Sequence, residues 1–93
     1  MIEVAGDRLR VRGAMVISSA TELKEAGETA LSNGASVVDL GEVAEADSSA
    51  VAVLLAWTRV AQDRKQALAI VDVPESIKSL AVLYGVAELL PLA

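Results

Sequence analysis

Three consecutive apolar runs limit what this chain can become. Residues 36–40, with Val37, Val38 and Leu40, read as a short buried strand. Residues 48–62 carry the longest helical pattern, with Asp47 or Ser48 as its cap, and residues 67–71 read as a second apolar strand. Strand, helix and strand joined by short connections make a βαβ unit, whose strands run parallel and whose crossover is right-handed. The class is therefore α/β.

The remaining segments fit around that unit. Arg8-Leu9-Arg10-Val11-Arg12 alternates strictly, with Leu9 and Val11 on one face and three arginines on the other. This predicts a half-exposed strand antiparallel to a neighbour, its arginines a solvated row. Residues 2–4 can pair with it across a turn at Gly6-Asp7. Met15-Val16-Ile17 is a further apolar segment. Ser19 and Glu22 read as a capping box for a helix carrying Leu23, Gly27, Ala30 and Leu31 and stopped by Asn33-Gly34. A last helix has Pro74 in its first turn, a stripe of Ile77, Leu80, Ala81 and Tyr84, and Gly85 at its end. Residues 86–90 form one more apolar turn, halted by Pro91. Together these predict one domain, residues 1–93. It has a mixed sheet of four or five strands, meander-like at the start, and about three to four helices.

Composition narrows the function. With no Cys and no His, thiolate metal sites and the commonest general base are absent. One Trp, one Tyr and no Phe leave little to stack bases on, and a net charge of −5 repels phosphate backbones, so no nucleic acid is expected. No apolar run reaches the roughly 18–20 residues of a membrane span. From Met1 to Gly13 charge and hydrophobe alternate, unlike a signal peptide. A cytoplasmic protein without cofactor or metal is the expectation.

Residues 41–51 join the first strand of the unit to its helix, at the sheet's carboxyl end where open α/β folds place their sites. Asp47, Ser48 and Ser49 open the helix. They are ordinary capping residues, and they also sit where unpaired N–H groups favour an anion or a partner's acceptor. Along the helix, Ala50, Val51, Val53, Leu54, Leu55, Trp57, Val60 and Ala61 cover over half the circumference, more than the stripe of about 100° that a surface helix needs. The opposite face carries Ser48, Ala52, Ala56, Arg59 and Asp63, smooth enough for another backbone to approach. Burial under the domain's own helices explains the wide stripe equally well. Trp57 reads as core filling. Asp39 and Asp72, also near strand ends, read as a solvent-facing residue and a cap for the last helix. Ser48 has neither a His base nor a Lys three residues on, so catalysis is not expected.

Val37-Val38-Asp39-Leu40 followed by Asp47-Ser48-Ser49-Ala50-Val51-Ala52-Val53-Leu54-Leu55 resembles the core signature of STAS domains. The tail, Leu83-Tyr84-Gly85-Val86 and then Glu88-Leu89-Leu90, is similar to the end of their MlaB-like members. The resemblance spans nearly the whole chain. It implies a four- or five-stranded sheet with helices mainly on one face. For MlaB-like proteins it implies a non-catalytic cytoplasmic subunit, held at the inner membrane through a phospholipid-transport ABC complex, whose ATPase is the partner. Asp47, Ser48, Ser49, Ala52, Ala56 and Arg59 would meet that partner. For the antagonists of bacterial anti-sigma factors it implies instead a partner kinase that phosphorylates Ser48. That pattern has Gly where this chain has Ala50, and the extra methyl is expected to obstruct a kinase.

Overall fold

The computed structural model describes residues 2–93; Met1, which opens the stretch read as unlike a signal peptide, lies outside them. Four strands form one sheet in the order β1 (Ile2–Ala5), β2 (Arg8–Met15), β3 (Val37–Ala46), β4 (Ala69–Val71). β1 and β2 are an antiparallel hairpin, with Ile2 opposite Val11 and Ala5 opposite Arg8. Gly6 makes its turn at φ +60°, a conformation that L side chains adopt only with strain.

The other two pairings are parallel. Helix α1 (Ala20–Ser32) carries the chain from β2 to β3, and α2 (Ser48–Asp63) from β3 to β4. Two βαβ units thus share β3, so the meander expected of the first strands ends after one hairpin. β3 also outruns its sequence reading, continuing through residues 41–46 where a loop was expected. β4 pairs only with Val37–Asp39, so this extension has β2 as its sole neighbour and meets it through two register shifts. Glu42 and Glu45 are compatible with a strand there because, among the described residues, no strand pairs with its other edge. Helix α3 (Glu75–Leu83) and a 3₁₀ turn (Ala87–Leu89) complete the fold. Leu92 then bridges in parallel to Ile70, and the Ala93 N–H donates to the Ile70 carbonyl at 2.9 Å.

The period-two pattern of β2 sorts the faces. Leu9, Val11 and Met15 join Val38, Leu40 and Ile70 in a core completed by Leu23 and Leu31 of α1, Leu54 and Trp57 of α2, and Ile77 and Ala81 of α3. All three helices therefore cover one face. The other face is not the bare cation row that the alternation suggested. Arg8 and Arg10 approach the Asp39 carboxylate at 2.9 and 3.6 Å. Arg12 reaches Glu42 at 2.6 Å and Glu3 at 3.2 Å. Asp39, expected to face solvent, is only 6% exposed. The arginines fold over it because the parallel register sets Arg10 directly opposite.

Local readings change at several residues. Ser19 does not form a capping box: its backbone is already helical, and its hydroxyl bonds Ala14 and Val16 instead of the helix. Pro74 precedes α3 as its cap residue, and Asp72 caps nothing. Tyr84 is 56% exposed rather than part of the buried stripe, because α3 ends at Leu83 and Gly85 turns the chain away at φ +69°. Ile17, read with the apolar segment that follows β2, projects into solvent.

Candidate protein-docking surface

β3 delivers Asp47 to the start of α2 in an extended conformation, the normal geometry of a helix cap. Its carboxylate accepts from the Ser49 N–H at 2.8 Å and from the Ile17 N–H at 3.0 Å. The Ser49 N–H is the largest cause holding the Asp47 carboxyl below its ordinary value; desolvation opposes it and the Ile17 N–H adds to it. Asp47 is therefore an ionised cap whose two carboxylate oxygens each accept one backbone N–H.

Ser48 follows as the first helical residue. It is exposed, and its hydroxyl makes no hydrogen bond within the domain. Ser49 is half-buried behind it. Ala50 is fully buried and belongs to the core cluster.

Ala52 and Arg59 are exposed and Ala56 is half-buried. These three, with Ala20, Thr21 and Lys24 of α1, line a groove of about 270 Å³. Arg59 lies roughly 16 Å along the helix axis from Ser48, so the candidate residues form a strip along α2 and not a compact site. A second groove, also about 270 Å³, shares Ala52 with the first and is lined by Ser48, Leu55, Tyr84 and Val86.

The wide apolar arc predicted for α2 is thus only partly core. Leu55 and Val60 are half-buried, while Thr58 is buried with its hydroxyl bonded to the Leu54 carbonyl at 2.8 Å. Tyr84 and Ile17 border the surface and were not foreseen there. Gly85 immediately after Tyr84 was the available sign that the helix ends and its last side chain leaves the stripe. Nothing in the pattern around Ile17 distinguishes it from a strand residue.

Acid–base chemistry at Ser48 has no support in this geometry. Among the described residues no three Asp or Glu side chains gather as a metal would require. No helix of the described residues is long and apolar enough to cross a membrane.

An unbonded hydroxyl at the tip of a helix, in the wall of an open groove on a β-β-α-β-α-β-α fold, is a surface for contact. The sequence model of the MlaB STAS domain family matches residues 2–91. The chain is a STAS domain. Solved STAS-fold proteins share its architecture. SpoIIAA, an anti-sigma factor antagonist in its unphosphorylated form, superposes with a TM-score of 0.73 at 14% identity, covering 100% of this chain and 84% of that one. A protein from Thermotoga maritima described as a candidate anti-sigma factor antagonist gives 0.76 at 15% identity, over 99% of this chain and 83% of that one. At such identities the likeness establishes the fold alone. No curated protein sequence matches the chain. Membership of the STAS family, a non-catalytic one, gives the domain a regulatory role through protein contacts.

Proposed function

We propose that this STAS domain is a non-catalytic subunit that docks on the ATPase of a phospholipid-transport ABC complex and regulates it, as its match to MlaB suggests. The observation that carries the reading is Ser48, exposed and unbonded at the start of α2 beside the open strip of Ala52, Ala56 and Arg59. Small side chains let a partner backbone come close, and Arg59 adds a cation at the far end. A contact of standard size buries about 1,200–2,000 Å² in total, and in this reading the two grooves beside the strip are part of it. Regulation follows from differential binding: the domain shifts the ATPase only by binding one of its states more tightly. The setting is cytoplasmic, at the inner membrane through the transporter.

Replacing Ser48 with Glu places a charge where the interface must lose water. The expected result is at least about a hundredfold weaker binding to the ATPase subunit of a phospholipid-transport ABC complex, the scale of an unpaired buried charge. The variant should melt like the unaltered domain, since a carboxylate at the first helical position suits the helix dipole. Unchanged affinity, measured by titration calorimetry, defeats the proposal.

A second reading is an anti-sigma factor antagonist switched by phosphorylation of Ser48. The exposed, unbonded Ser48 hydroxyl supports it, and the Ala50 methyl lies in the core and not on the surface that a kinase would meet. Phosphate would add about −1.5 to −2 charges next to Asp47. Intact-mass measurement of the protein from its own cells separates the readings: stoichiometric phosphate on Ser48 supports the switch.

A further inference from the structure

We infer that Asp47 is the positioning residue of the docking surface and that it holds Ile17 there as an apolar contact. The partner side of this inference rests on the docking reading above; the role of Asp47 within the domain does not. The Asp47 carboxylate takes one backbone N–H from each of two elements, Ser49 in the first turn of α2 and Ile17 in the β2–α1 connection. The Asp47 N–H in turn donates to the Met15 carbonyl at 3.2 Å. Residues 15–17 and 47–49 are thus joined around one side chain, so the connection keeps its place beside Ser48.

The connection is also held from its other end. The Ser19 hydroxyl accepts from the Val16 N–H at 3.2 Å and donates to the Ala14 carbonyl at 3.0 Å. Between these two anchors stands Ile17, 77% exposed. A large β-branched side chain on a tethered support loses little freedom when a partner covers it, so its burial converts efficiently into affinity. The contact therefore takes a partner surface that pairs a polar group for the Ser48 hydroxyl with an apolar socket for Ile17.

Amide NMR on the isolated domain tests the first half. In Asp47→Ala the Ile17 resonance should move, and its hydrogen exchange should quicken by about fivefold, the scale of one net hydrogen bond, while Val38 in the core stays unchanged. Asp47→Asn keeps a single accepting oxygen and should restore one of the two bonds. An Ile17 amide indifferent to Asp47→Ala overturns the positioning role. Calorimetry with the transporter ATPase tests the second half. Ile17→Ser should bind about tenfold more weakly yet melt normally, and Asp47→Ala combined with it should add little further loss. Unaltered affinity for Ile17→Ser removes Ile17 from the surface. If the unaltered domain does not bind the ATPase, the Ile17 contact falls with the docking reading, and the amide data still decide Asp47.

Discussion

Trp57→Ala is expected to cost about 3–5 kcal/mol, the range for emptying a core aromatic site. A domain of 93 residues has about 5–14 kcal/mol in total, so the variant should melt about 15–30 °C lower. Trp57 is fully buried, and its indole N–H donates to the Lys24 carbonyl at 3.1 Å. Its ring lies against α1 at Gly27, where an added methyl would overlap Cε2, Nε1 and Cζ2 of the indole. Gly27→Ala therefore sets two effects against each other. Ala is favoured over Gly within a helix by about 1 kcal/mol, whereas overpacking a rigid buried ring costs about 1–3 kcal/mol or more. The clash should win, giving a net loss of about 1–2 kcal/mol. With Trp57 already replaced by Ala the obstacle is gone, and Gly27→Ala should become neutral or stabilising. Urea melts followed by circular dichroism measure all three variants. Simple additivity of the two substitutions would show that the α1–α2 contact is not made through this pair.

Asp39→Ala should be the costliest change on the opposite face, at about 2–3 kcal/mol, the worth of hydrogen bonds to a charged group. It strips the partner from Arg8, Arg10 and the Gly41 N–H, which donates to the carboxylate at 2.9 Å. The loss stays below that for a sealed ion pair because the arginine side chains remain 43% exposed and can turn to water. The same group makes the domain acid-labile. The Gly41 N–H is the largest influence holding the Asp39 carboxyl below 3.8; burial opposes it, and the hydrogen bond and charge of Arg8 with the charge of Arg10 reinforce it. Glu42 is lowered from 4.5, chiefly by its hydrogen bond from Arg12. A carboxyl depressed on folding adds stability above its unfolded value and loses it as pH falls through the folded one. Melting temperature should thus hold steady at neutral pH and fall below about 4.5. Asp39→Asn should flatten that fall, and an unchanged acid slope in this variant would remove Asp39 as its source.

The βαβ core was readable because periodicity, a cap and short connections agreed over residues 36–71. The alternation from Arg8 to Arg12 sorted its two faces correctly. It gave no indication of what the arginines meet, since Asp39 and Glu42 become their partners only through the parallel register with β3. Residues 41–46, with Gly41, Glu42 and Glu45, resembled a loop because a strand with one neighbour need not be continuously apolar. At the surface, Asp47 and Ser48 were legible as a helix start from residue type alone. Ile17 and Tyr84 were not, because exposure of a large apolar side chain is a property of the assembled fold. Ser19 shows how a capping motif fails when a nearby backbone N–H, that of Val16, claims the hydroxyl oxygen.

The single Trp and the single Tyr occupy opposite environments, one sealed between helices and one in water beside Ser48. The domain therefore carries two built-in optical probes. Indole emission, shielded from solvent, follows unfolding. Phenol absorbance follows occupation of the groove without disturbing the interior. Titrating a partner that lacks aromatic residues while recording both would tell a binding event apart from a loosening of the domain, with no label attached.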